Sequence, residues 1–153
     1  MLSVAEDIMD AFEVFTESNL STYLTAIATE KRDGKTPADL NDVLTGIYDP
    51  TKYNNFPLGF LVPVSEEYEA LSLSEDAVTF TMHFWIIDRG YGEADLTTRV
   101  ARMSSAFRSM VRAMAVPSTI GEAIVTSIEY YPRIYGVEEA QGARIEVEIT
   151  QEV

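Results

Sequence analysis

One histidine, His83, and 25 Asp and Glu residues are the groups of this chain most suited to acid–base or metal chemistry. A general base needs a placed partner. His83 falls in "VTFTMHFWII", on a strand face with Thr79, Thr81 and Trp85, and no second histidine is present to share a metal. The acidic runs "SEEYE", "SLSED" and "GVEEAQ" lack the D-x-D-x-D-G spacing of a calcium loop. "DRGYGEAD" has two glycines but neither G-x-G-x-x-G nor a phosphate-loop lysine, and G-x-S-x-G is missing among the serines. Cysteine is absent, which excludes disulfides and thiolate metal sites. The expectation is a protein with no catalytic residue, no cofactor and no metal. The alternative is a small-ligand or enzymatic domain whose pocket lies near His83.

Charge is laid out less evenly than chemistry. The segment "RVARMSSAFRSMVRAM" carries Arg99, Arg102, Arg108 and Arg112, over a third of the 11 Lys and Arg residues of a chain whose net charge is −14. Residues 95–114 hold four arginines against one aspartate, net +3, which leaves −17 on the rest. At about 100° per residue, Arg99 falls on the flank of the apolar stripe, and Arg102, Arg108 and Arg112 fall on the far side. Arg108 and Arg112 are like charges at i,i+4, a mildly unfavourable spacing. Such a ridge can pair with the protein's own loops, meet acid on a second copy, or touch phosphate. The net field opposes the last.

A second set is "EYYPRIY", with Tyr130, Tyr131 and Tyr135 beside Arg133. Tyr and Arg are enriched where protein surfaces meet. Alternation puts Tyr131 and Arg133 on one face and Tyr130 on the other, unless Pro132 introduces a bulge. The competing reading is that these aromatics close one end of the core.

The elements that position these groups follow from periodicity. Ser3 and Glu6 have capping-box spacing. Val4, Ile8, Phe12, Phe15, Tyr23, Leu24 and Ile27 predict an amphipathic helix over 3–30 with a soft spot at Ser18–Asn19, closed by Lys31, Arg32 and a left-handed Gly34. "VLTGIY" (43–48) reads as a short edge strand. "LGFLVPV" (58–64) reads as a buried strand that Pro63 confines to an edge or ends early, and acidic "SEEYEALSLSEDA" as a loop or hairpin crossing. In 78–87, Val78, Phe80, Met82, Phe84 and Ile86 point inward. After the "DRGYGEA" turn, Asp95 caps a second helix carrying Leu96, Val100, Met103, Phe107, Met110, Val111 and Met114, which Pro117 stops. Strands follow at 123–135, broken at Pro132, and at 143–150, joined by "GVEEAQG" as a hairpin. The fold class is α+β: a mostly antiparallel sheet with the two amphipathic helices packed on one face, in a single domain over 1–153.

The totals agree. Hydrophobic residues form 46% of 153, enough to bury a core. No uninterrupted apolar stretch approaches the roughly 20 residues that span a bilayer. "MLSVAEDIMDAF" has acids where a secretion signal needs Lys or Arg.

In this layout the chain resembles the tail-terminator and neck (tail-to-head joining) proteins of long-tailed bacteriophages. The resemblance rests on the N-terminal amphipathic helix, the irregular "DPTKYNNFPLGFLV" lead into the sheet and "IIDRGYGEADLTTRVARMSSAFRSMVRAM". The closing "SIEYYPRIYGVEEAQGARIEVEITQEV" completes it. It implies a structural virion-assembly protein that forms a ring, typically a hexamer, capping the tail tube and joining it to the head connector. Its partners would be further copies of itself, the tail-tube protein and the head-connector protein. DNA would pass through unbound, and no membrane would be involved. The protein would sit in the virion after assembly in the host cytoplasm. The residues implicated as subunit interface are Arg102, Arg108, Arg112, Tyr131, Arg133 and Tyr135. An acidic adaptor that binds a basic protein is the other reading of the same charge.

Overall fold

A computed structural model describes residues 5–46, 50–53, 55–72, 76–113 and 121–152. Helix α1 spans Ala5–Lys31 and α2 spans Glu93–Ala113; the strands are β1 (Asp42–Thr45), β2 (Leu58–Ala70), β3 (Asp76–Arg89), β4 (Glu122–Tyr131) and β5 (Ala140–Glu152). They form one sheet in the order β1-β2-β3-β5-β4, antiparallel throughout except for the β1–β2 pair. Both helices cover one face, α1 over β1 and β2, and α2 over β3, β5 and β4. This is the expected α+β architecture. Among the described residues no helix is long and apolar enough to cross a membrane.

Alternation decides which strand residues enter the core. Val78, Phe80, Met82, Phe84 and Ile86 are buried beneath the helices, joined by Ala143, Ile145, Val147 and Ile149 of β5. From α1 come Ile8, Met9, Phe12, Phe15, Leu20 and Leu24; from α2 come Leu96, Val100, Met103, Phe107, Met110 and Val111. Phe107 stacks on Phe84 with ring centroids 4.2 Å apart and 12° between planes, and lies 5.9 Å from Phe12. A smaller apolar cluster on the outer face gathers Leu58, Phe60, Ile87, Val137 and Ala140, with Trp85 half-buried beside them.

Several local expectations need correction. The first helix runs unbroken through Ser18–Asn19, where Asn19 Nδ2 donates to the Phe15 carbonyl at 2.7 Å. It ends at Lys31, and the left-handed residue that closes it is Arg32 (φ 51°), whose N–H bonds Ala28 O at 3.0 Å. Gly34 (φ 72°) instead shapes the following turn. Asp95 is no cap. It lies inside the first turn of α2 and pairs with Lys35 at 3.2 Å, while the Gly92 carbonyl receives the first helical bond, from Leu96 N–H. Pro63 does not stop β2: a bulge between Pro63 and Ser65 absorbs it, and "SEEYEA" continues the strand. Ser3, Val4, Met114 and Pro117 lie outside the described residues.

Candidate assembly surface

The four arginines of α2 divide into two buried or clamped and two without a carboxylate partner among the described residues. Arg99 is buried, its Nε 2.6 Å from Asp88 Oδ2 and its guanidinium carbon 3.9 Å from the Tyr91 ring centroid. Arg102 grips Asp33 with two 2.7 Å bonds and also donates to Thr36 Oγ1 at 2.9 Å. The paired guanidinium, and then the Lys35 amide, hold the Asp33 carboxyl well below the usual carboxylate range. Arg102 therefore leaves the expected ridge: the acid it was expected to find on another copy is supplied by its own chain. The bend after α1 delivers that acid, a contact 69 residues away in sequence that no helical wheel displays.

Arg108 and Arg112 stay at the surface. Both are exposed on the last turns of α2, and neither pairs with a carboxylate among the described residues. With Val111 they line one wall of a cleft of about 320 Å³, whose other wall is Ala123, Ile124 and Val125 at the start of β4. β4 closes the sheet order and pairs only with β5, so its other edge is open among the described residues. Its helix-facing residues Ala123, Val125 and Ile128 remain only partly buried, and Ile124 is 53% exposed. The sequence flags these positions weakly, because a bulge at Thr126 reverses the alternation halfway along the strand.

The Tyr–Arg set also divides. Tyr131 is half-buried with its ring 5.2 Å from Trp85, which in turn stacks on Phe60 at 6.1 Å. It closes the outer apolar cluster and is not a free anchor. Arg133 and Tyr135 are exposed, Tyr135 completely, in the β4–β5 connection. Arg133 lines a cleft of about 480 Å³ with Tyr91, Glu93 and Glu138. Tyr130, on the helix side and 52% exposed, borders a largely apolar groove of about 500 Å³ against Thr97, Val100 and Ala101 of α2.

The opposite side of the molecule is acidic. Glu13, Glu17, Asp39 and Asp42 cluster where α1 overlies β1, and Glu13 accepts from Thr45 Oγ1 at 2.9 Å. Partial burial, then the charges of Glu13, Asp42 and Asp39, push the Glu17 carboxyl upward. Farther along, β1 pairs only with Leu58–Leu61, so from Val62 onward the outer edge of β2 is open among the described residues and carries Glu66, Glu67 and Glu69.

His83 lies on the solvated sheet face, its Nε2 3.6 Å from Glu146 Oε1, and lines none of the three clefts described above. Among the described residues no three His, Asp or Glu side chains converge as metal ligands would. No protein-family model matches this chain, and no curated protein matches it.

Proposed function

We propose that this chain is a structural virion-assembly protein of the phage tail-terminator or neck type. It self-associates into a ring, docks on the tail-tube and head-connector proteins, and uses no catalytic group. The observation that carries this reading is the pair Arg108 and Arg112. They stand exposed and without a carboxylate among the described residues, beside an open strand edge, in a chain of net charge −14. Like charges at i,i+4 repel each other, and a surface of opposite sign on another molecule would relieve that repulsion.

A closed ring repeats one heterologous contact, so each copy needs two different complementary surfaces. The acidic side over β1 and β2 is the second. Acid remaining on the inner wall would repel DNA passing through, so the duplex would slide without sticking. Mass photometry and electron microscopy of the purified protein, alone and with tail tubes, test the reading. Discrete rings near six copies are expected. Monomer under every condition overturns it.

A further inference from the structure

Rows of paired residues cross β2, β3, β5 and β4 and link two edges that are open among the described residues. One row runs Glu66–Phe80–Ile149–Ala123, the next Ser65–Thr81–Glu148–Ile124. The bare part of β2 therefore stands level with the first half of β4, on opposite sides of one molecule. Successive antiparallel pairings make β2 and β4 run in opposite directions. A second copy placed beside the first, helices on the same side, thus presents its β2 edge antiparallel to β4 and at the same height.

Charge selects the same partner. Glu66 and Tyr68 share rows with buried Phe80 and Val78, so both point to the helix side, where Tyr68 Oη donates to Glu66 at 2.5 Å. Arg108, Arg112 and Val111 stand on the helix side of β4. Two β2 edges repel each other through their glutamates, and so do two arginine-flanked β4 edges. Only the mixed contact is attractive, which makes the association head-to-tail. Glu122, exposed in the same row as Glu67, opposes the contact on the outer face, so the attraction is confined to the helix side.

We infer that β4 and the Arg108–Arg112 cleft receive the Ser65–Tyr68 segment of a neighbouring copy, extending the sheet from one subunit into the next. Glu66, level with Ala123, would sit between the two arginines. This deepens the ring reading and rests on it.

Charge exchange tests it. E66R alone and R108E/R112E alone should each require about tenfold or more protein to assemble. Their equimolar mixture should recover wild-type assembly, because each restores the other's contact. E67R, aimed at the outer face, should assemble at least as well as wild type. The chain has no cysteine, so S65C mixed with I124C and a short bis-maleimide should yield the mixed pair and neither like pair. If the wild type forms rings but the mixture fails to recover, or the mixed cross-link is missing, this contact is overturned and the ring reading stands. If the wild type never assembles, both fall.

Discussion

Arg99 and Asp88 form a buried ion pair, Nε to Oδ2 2.6 Å, that pins the start of α2 to the end of β3. Their side chains are 10% and 1% exposed. Asp88 also accepts from the Arg89 amide at 2.9 Å, and Tyr91 covers the guanidinium. Removing one partner leaves a buried charge unpaired. D88A is expected to cost about 3–5 kcal/mol in urea unfolding, and D88L/R99M to regain most of that loss. Equal instability of the single and double variants would contradict this account.

The Phe84–Phe107 stack joins sheet to helix at the centre of the core, and both rings are fully buried. F107A removes contacts with Phe84 and Phe12 together. We expect a loss of about 3–5 kcal/mol, read from the denaturation midpoint. A loss below about 1 kcal/mol would mean that α2 packs less tightly than this geometry requires.

Asp33 and Arg102 tie the chain after α1 to the middle of α2. Because the Asp33 carboxyl is held low in the folded state, its contribution is intact above the ordinary aspartate pKa of about 3.9 and fades as pH falls below it. D33N should lower Tm modestly at pH 7, and the gap to wild type should narrow steadily below about pH 4. A gap independent of pH would point to packing as its source.

Two glycines in strands should respond differently to alanine. At Gly142 a Cβ would meet the Ile86 carbonyl oxygen at 2.8 Å, which is backbone and cannot yield. At Gly59 it would meet the ends of Leu40 and Phe84 side chains at 2.8 and 3.0 Å. G142A is expected to exceed G59A in cost, each falling in the range of about 1–3 kcal/mol or above. The reverse order in thermal unfolding would contradict this ranking.

Much of the fold was legible along the chain. The step pattern from Leu96 to Val111 and the alternation from Val78 to Ile86 both survive in the buried core. Each is a local periodicity, imposed by helix or strand geometry on neighbouring residues. Some slips were local, at Asn19, Arg32 and Gly92, and another came from a strand pairing. Asp95 looks like a cap, but the helix begins two residues earlier at Glu93, and the acidic run after Pro63 looks like a loop until β3 pairs with it.

The candidate surface shows the same division. The four arginines of the acid-free run from Arg99 to Met114 were visible from spacing alone. That Arg99 and Arg102 are spent internally, while Arg108 and Arg112 find no carboxylate among the described residues, depends on where β3 and the bend after α1 bring Asp88 and Asp33. Tyr131 likewise is half-covered because Trp85 arrives beside it on another strand.

Composition and periodicity thus determined the α+β class, the two helices, the buried stripes and the excess of acid, since those depend on residue type and short-range geometry. Tertiary structure alone decided which charges are neutralised, which strand edges stay open and which side of the sheet is acidic. Ion pairing and strand pairing act between segments remote in sequence, and their outcome is set only when the chain closes on itself.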